Sequence, residues 1–321
     1  MPEPLFTWAE LERASELVHR HVPVTPTYAW PLLAAELGTE VWVKHENHTP
    51  TGAFKMRGGL VLFDRLRRER PDLAGVVSAT RGNHGQSLAF AGRLHDLPVT
   101  IVVPHGNSSE KNAAMVALGA ELVVHGADYQ AAREHAERLS AERGLLMVGP
   151  FEPDLVLGVA TYARELFEAV PDLDVVYVPV GMGSGICGVM TVRDLLGLPT
   201  EVVGVVATGA PATLLSFRAG RVVPTESVDT FVDGVATRIP DPVAIEQICA
   251  GASRIVAIDD DDTREAMRVL HRCTHSAAEP SGALALAGAL AERDRLAGRR
   301  VAVVQSGANA DAAIVAEVLA G

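Results

Sequence analysis

Short β-branched runs alternate along this chain with longer stretches in which apolar side chains recur every three or four residues. The runs bounded by Gly or Pro predict buried strands, and the 3.6-residue period predicts amphipathic helices. Strands are expected at Val41–Lys44, Val76–Ala79, Val99–Val103, Glu121–Val124, Val175–Pro179, Val202–Val206, Ile255–Ile258 and Val301–Val304. Helices are expected at Arg57–Arg68, His84–Leu94, Lys111–Leu118, Tyr129–Glu142, Val159–Val170 and Thr263–Cys273. Such alternation predicts an α/β fold, a largely parallel sheet covered by helices. Two compositional breaks, the charged segment Arg67–Asp72 and Gly144–Pro153, enclose three strand–helix units. Residues 71–147 are therefore expected to form a smaller domain inserted into a larger one built from 1–70 and 148–321. A substrate site is expected in the cleft between them.

Composition narrows the function classes. The 321 residues are 48% hydrophobic and 21% charged, an ordinary globular balance, with a formal net charge of −12. That charge, without an arginine stripe and interleaved aromatics, argues against a nucleic-acid partner. No apolar run reaches the length of a membrane span. Met1 to Glu10 carries acids and prolines where a secretory signal needs basic residues before an apolar core. Cys187, Cys249 and Cys273 are widely spaced and match neither a disulfide framework nor a zinc site. A reducing cytoplasm is the expected compartment. Of 28 basic residues only three are lysines, Lys44, Lys55 and Lys111. Guanidinium cannot form an imine, so a retained lysine marks a position where a primary amine can matter.

Four constellations carry candidate chemistry. Pro50-Thr51-Gly52-Ala53-Phe54-Lys55-Met56-Arg57-Gly58-Gly59 leads a Gly-containing turn into a helix that presents Lys55. The helix N-terminus and partial burial beside Phe54 and Met56 both favour a neutral amine, the nucleophile an imine needs. A surface lysine at a helix start would give the same pattern. Ser78-Ala79-Thr80-Arg81-Gly82-Asn83-His84-Gly85-Gln86 follows a strand and opens a helix. Its small residues let backbone N–H groups converge on a carboxylate, and the Asn83 amide can bond a phenolic oxygen. A generic strand–helix cap reads alike. Gly181-Met182-Gly183-Ser184-Gly185 follows an apolar run and forms an anion cradle at a helix start. Its spacing is read as departing from the dinucleotide fingerprint, and no acid closes the following strand at Val205-Val206-Ala207. Phosphate binding without a dinucleotide is the better reading. Last, Gln305-Ser306-Gly307-Ala308-Asn309 places Ser306 at the C-terminal edge of a strand, where open α/β sheets bind ligands. It could equally be a helix cap.

Taken in order, these motifs resemble the fold-type-II pyridoxal-5′-phosphate enzymes, and more narrowly the serine/threonine dehydratases and serine racemases. The resemblance runs from Val24-Thr25-Pro26-Thr27 to Asn309. It implies two open, twisted, largely parallel sheets with helices on both faces, a larger and a smaller domain, and a homodimer. It places the cofactor-bearing lysine on Lys55 with Phe54 beside it, and the phenolic-oxygen partner on Asn83. The phosphate loop falls on Gly181, Met182, Gly183, Ser184 and Gly185, a bordering segment on Gly234, and the hydroxyl facing the pyridine nitrogen on Ser306. Thr80, Arg81, Gly82 and His84 fall in the loop that receives the substrate carboxylate. Lys44 and Lys111 match lysines that do not form the imine. The implied reaction is elimination from a small 3-hydroxy amino acid, such as L-threonine or L-serine, to a 2-oxo acid and ammonia. The alternatives are a dehydratase of 3-hydroxyaspartate or an aryl serine, then an amino-acid racemase, and, from another class, a non-catalytic phosphate or nucleotide binder.

Three departures qualify the resemblance. Arg81 stands where the dehydratases carry a small residue and the racemases a proton-donating Ser, so racemisation is disfavoured and a second substrate carboxylate becomes conceivable. The two acids that hold a divalent metal in some relatives are absent from Val205–Pro211, so no metal is expected there. The sequence stops one helix after Ser306, where biosynthetic relatives continue into a regulatory domain, so a catabolic role is expected.

Overall fold

The expected strands all form, each within one residue of its expected ends, in a computed structural model that describes residues 2–321. The first part of the chain runs α1 (Trp8–His19), β1 (Thr27–Ala29), α2 (Pro31–Leu37), β2 (Val41–His45) and α3 (Met56–Glu69). Then follow β3 (Val76–Ala79), α4 (Asn83–Leu94), β4 (Val99–Val103), α5 (Ser109–Ala117), β5 (Glu121–Val124), α6 (Tyr129–Arg143) and β6 (Leu146–Met147). The remainder is α7 (Pro153–Ala169), β7 (Val175–Pro179), α8 (Ser184–Leu195), β8 (Glu201–Ala207), α9 (Ala212–Ala219), α10 (Pro242–Gly251), β9 (Arg254–Ile258), α11 (Asp260–Thr274), α12 (Pro280–Ala291), β10 (Val301–Gln305) and α13 (Ala312–Ala320). The helix expected from Val159 begins six residues earlier, because Pro153 is pre-set for a first helical turn. Helix α12 escapes periodicity altogether: its sequence is apolar all round and ten of its residues are buried.

Strand alternation assigns the two faces of the larger sheet, ordered β1-β2-β10-β7-β8-β9 and parallel except for β1. Val175, Tyr177, Val203, Val205, Val301 and Val303 pack on the side of α11 and α12. Val176, Val178, Val202, Val206, Ala302 and Val304 pack on the side of α7 and α8. The second sheet is all parallel, ordered β5-β4-β3-β6. Val76, Val99, Ile101 and Val103 form one core with α4, while Val77, Ala79 and Val102 meet Ala132, Ala136 and Leu139 of α6.

Helix α3 joins the two units. Leu62, Phe63 and Leu66 enter the core of the smaller sheet together with Leu155 of α7. At its start, a Cβ on Gly58 would stand 2.6 Å from the Leu155 carbonyl oxygen, and one on Gly59 would stand 2.8 Å from that of Ser87. Backbone therefore meets backbone on two sides of the first turn, which no larger residue permits.

Candidate active site

The turn before α3 is pinned by its own side chains and by the end of β10. Thr49 Oγ1 donates to the Ala53 carbonyl (2.9 Å) and accepts from the Ala53 N–H (3.0 Å). Ala53 forms an antiparallel bridge with Gly307, and the Phe54 N–H donates to the Ser306 carbonyl at 3.1 Å. Lys55 follows immediately, standing just before α3 rather than in its first turn. Its carbonyl accepts a 2.6 Å hydrogen bond from Ser87 Oγ of α4. Two separate elements, β10 and α4, thus set where this lysine begins.

Charge separates the three lysines. Lys44 Nζ lies 2.5 Å from Glu165 and Lys111 Nζ lies 2.5 Å from Asp233. Lys55 has no carboxylate within ion-pair reach among the described residues, and its Nζ sits 4.7 Å from the centre of the Phe54 ring. Burial pulls its pKa down to about 8, with the more distant Glu279 opposing. Burial lowers the pKa of Lys44 as well, with Glu46 and Glu165 opposing, so what sets Lys55 apart is a lowered pKa without a carboxylate partner: a minor but accessible fraction of its amine is neutral near physiological pH.

Beyond β7 the glycine run turns into α8. Gly183 takes φ 102°, the left-handed region, and α8 has neither a side-chain cap nor an acid in its first turn. Its leading N–H groups are therefore available to an anion. A Cβ on Gly181 would approach Gly234 O at 2.7 Å, and one on Gly234 would approach Ser281 Oγ at 2.5 Å. Ser306 Oγ donates to the Ser281 carbonyl at 3.2 Å, and Gly185 faces the Tyr162 hydroxyl and the Phe54 ring. The glycine loop, Gly234, Phe54 and Ser306 are accordingly linked by a chain of close contacts through Ser281 and Gly185, and Ser184 is buried beside them. The Met182 sulfur accepts from Thr237 Oγ1 at 3.8 Å. One sequence expectation is corrected here. Gly183, Gly185 and Gly188 do keep G-x-G-x-x-G spacing, and Gly188 packs on the Ala160 backbone. The distinction from a dinucleotide loop rests on Ala207, which ends β8 without an acid.

The loop after β3 joins these residues through Asn83, the first residue of α4. Asn83 Nδ2 donates to Glu279 at 2.6 Å, and its Oδ1 accepts from Asn309 Nδ2 at 2.9 Å. Asn309 also donates to the Thr51 carbonyl at 2.7 Å, closing a ring back to the lysine turn. Glu279 is 1% exposed, and burial raises its pKa, with Lys111 opposing at 3.7 Å. Burial works against the charge on Lys111 too, but Glu279 and Asp233 together hold its pKa above the ordinary range. The stem of Lys111 lies where a Cβ on Gly82 would go, at 2.6 Å. Gly82 N–H donates to Thr80 Oγ1 at 3.2 Å. His84 is buried with Nε2 unpaired, and burial, with Lys55 adding to it, pushes its pKa down to about 3. It is a neutral imidazole. Arg81 is exposed and makes no ion pair among the described residues; its carbonyl accepts from Asn107 Nδ2.

Sequence reasoning placed Asn309 within the Gln305–Asn309 run without giving it a role, and it missed Glu279, Ser87 and Ser281 as contributors. No local signal marks them, since Glu279-Pro280 reads as an ordinary helix start and Ser87 as a mid-helix serine. Near Thr208 and Gly209, Asp229, Asp259, Asp260 and Asp261 line an open cavity, and none belongs to the Val205–Pro211 segment. Asp260 is spent on Thr230 Oγ1 and the Phe231 N–H. No group of three or more metal-ligating side chains comes together among the described residues.

A primary amine with a lowered pKa, a glycine run packed too closely for side chains at Gly181 and Gly183, an uncapped helix N-terminus, a neutral hydroxyl and an amide fit an aromatic aldehyde phosphate. The model of the pyridoxal-phosphate dependent enzymes matches residues 18–307. The L-threonine ammonia-lyase of Thermotoga maritima is 31% identical over 98% of this chain and 78% of its own length. The L-threo-3-hydroxyaspartate ammonia-lyase of Saccharomyces cerevisiae is 29% identical over 98% of this chain and 97% of its own. Among solved structures, the processed form of threonine deaminase isoform 2 from Solanum lycopersicum superposes with a TM-score of 0.90 at 30% identity, covering 99% of this chain and 96% of that one. The chain belongs to the pyridoxal-phosphate-dependent enzymes of fold type II, with threonine dehydratases among its relatives.

Proposed function

We propose that this chain is a pyridoxal-phosphate-dependent ammonia-lyase that converts a 3-hydroxy amino acid such as L-threonine or L-serine to a 2-oxo acid and ammonia. The single observation that carries the assignment of roles is that Lys55 alone of the three lysines has no carboxylate within ion-pair reach among the described residues, while burial draws its pKa down to about 8. Bound pyridoxal phosphate supplies an electron sink for the charge that develops at the substrate α-carbon. Lys55 would hold the cofactor, and its amine when free would take the α-proton, a task that its lowered pKa favours. The Gly181–Gly185 loop and the start of α8 hold the phosphate, Asn83 bonds the phenolic oxygen, and Phe54 and Gly234 border the ring. Ser306 offers the pyridine nitrogen a neutral hydroxyl, which cannot hold a proton there as a carboxylate would. Thr80, Gly82 and His84 receive the α-carboxylate, with His84 kept neutral. The 3-hydroxyl leaves as water and one water returns at hydrolysis, so the net products are 2-oxo acid and ammonia.

The supporting experiment is direct. Purified protein should be yellow, borohydride should bleach it and label Lys55, and L-threonine should yield 2-oxo acid. Colourless protein that stays inert with added cofactor, or a label elsewhere, refutes the reading.

One observation favours a second substrate. Lys111, the other cation beside Gly82, is neutralised by Asp233 and Glu279, which leaves Arg81 without a counter-ion at the carboxylate loop. Arg81 is suited to a second carboxylate, as on 3-hydroxyaspartate. Turnover of threonine, serine and 3-hydroxyaspartate by wild type and Arg81→Ala separates the cases, and unchanged preference in the variant removes this one. We further assign residues 71–147 as the smaller domain within 1–70 and 148–321, with α3 shared between them. A cytoplasmic homodimer is the state that the resemblance to the serine/threonine dehydratases supports; no helix among the described residues is long and apolar enough to cross a membrane. Light scattering reads the assembly.

A further inference from the structure

Four ionised side chains lie out of water at the start of α3, and the reaction above uses none of them. Lys44, Glu46 and Arg57 are fully buried, and Glu165 nearly so. Arg57 grips Glu46 through Nε (2.7 Å) and Nη2 (3.0 Å), and Glu165 through Nη1 (2.6 Å) and Nη2 (3.0 Å). It also donates to Thr161 Oγ1 at 3.0 Å and Thr25 Oγ1 at 3.3 Å. Lys44 Nζ donates to Glu165 at 2.5 Å and to the Thr25 carbonyl at 2.9 Å. Two positive and two negative charges leave the group neutral. His19 Nε2 meets Glu165 at 2.9 Å from the solvent side.

Stability is a weak reason to keep such a quartet, since apolar residues of similar volume often do as well or better. Its distinctive property is direction, because a guanidinium fork meets carboxylates in a fixed plane. Helix α3 has need of that. No side chain caps its start, and Gly58 and Gly59 press it against α7 and α4 by backbone alone. A glycine seam allows close approach but offers no side chains to interlock at the first turn. Leu62, Phe63 and Leu66 anchor the helix further along and backbone bonds hold Phe54 and Lys55, so Arg57 is the side chain that can lock the first turn itself. Arg57 is tied to the end of β2 through Glu46 and to α7 through Glu165, and it stands two residues from Lys55.

We propose that Arg57, held by Glu46, Glu165 and Lys44, is a register pin for α3: a set of positioning residues that fixes the point from which Lys55 reaches the glycine cradle. The proposal rests on Lys55 being the cofactor-bearing lysine.

Borohydride labelling of the wild-type holoenzyme comes first, because a label away from Lys55 refutes that reading and the pin with it. With Lys55 labelled, three variants test the pin itself. Lys44→Met/Glu165→Gln stays neutral, Arg57→Lys keeps charge without the fork, and Thr161→Val keeps every charge and deletes one guanidinium bond. The first two lower kcat roughly 10- to 100-fold, the scale of about 1 Å of misplacement. KM stays within about twofold, since substrate contacts are untouched. In the cofactor-free proteins, trinitrobenzenesulfonate modifies the Lys55 amine with a midpoint near pH 8 in wild type and a higher one in the variants, as water reaches a loosened helix start. Thr161→Val shifts both readouts the same way by less, and it decides the matter if the other variants do not fold. Wild-type kcat and labelling midpoint beside a lowered Tm would overturn the proposal, leaving the quartet a structural device only.

Discussion

Lowering the pH should destabilise this protein through His45, by an amount that follows from its surroundings. The Trp30 indole N–H donates to His45 Nε2 at 3.0 Å, and an indole nitrogen is only ever a donor. Nε2 must therefore carry the lone pair and Nδ1 the proton, so charging the ring means breaking that bond. The ring is 1% exposed. Burial, then the stacked His48 ring 5.1 Å away, then Lys44, push its pKa down to about 4 from 6.5, while Asn47 and Gln305 oppose. Because the folded pKa is depressed, the unfolded chain binds the extra proton between about pH 6.5 and 4, and stability falls with pH across that window. The full gap is worth about 3 kcal/mol, and about 2 kcal/mol is lost between pH 8 and 5. His45→Gln keeps an acceptor for Trp30 but cannot titrate. Urea unfolding of wild type and variant at pH 8 and 5 isolates the histidine, because His84 and Glu279 contribute equally to both proteins. The variant should lose about 2 kcal/mol less than wild type between the two pH values. Equal losses would refute the tautomer argument.

Other perturbations address the site and its supports. Lys55→Ala should leave a protein without borohydride-fixed cofactor and with 2-oxo acid formation reduced by at least about 10³-fold, measured with cofactor in excess. Ser87→Ala removes the hydrogen bond to the Lys55 carbonyl, which still accepts from the Gly58 and Gly59 N–H groups, so a loss of only about 1 kcal/mol is expected in denaturant unfolding. Gly58→Ala drives a methyl to 2.6 Å from the Leu155 carbonyl oxygen and 2.9 Å from its Cα; α3 must shift, lowering stability by about 1–3 kcal/mol and kcat with it. Unaltered activity in that variant would show that the α3–α7 seam tolerates displacement.

What the chain discloses locally and what it does not divide along a physical line. Strands such as Val99–Val103 are readable because burial on both faces demands a continuous β-branched run, and the glycine cradle is readable because an uncapped helix start needs small residues in sequence. Helix α12 is not readable, since a helix buried on every side loses the period that would reveal it. The partners of the charged groups are hidden for a different reason. Asn83 meets Glu279 across 196 positions, Lys111 meets Asp233 across 122, and Lys44 meets Glu165 across 121. A buried charge requires a counter-charge but does not say where along the chain it lies. Yet those long-range pairings are what sort three lysines into two held in ion pairs and one left without a carboxylate and with its pKa lowered to about 8. The motifs name the candidate amine; tertiary pairing of its two rivals with carboxylates is the physical ground on which we propose Lys55 as the reactive one.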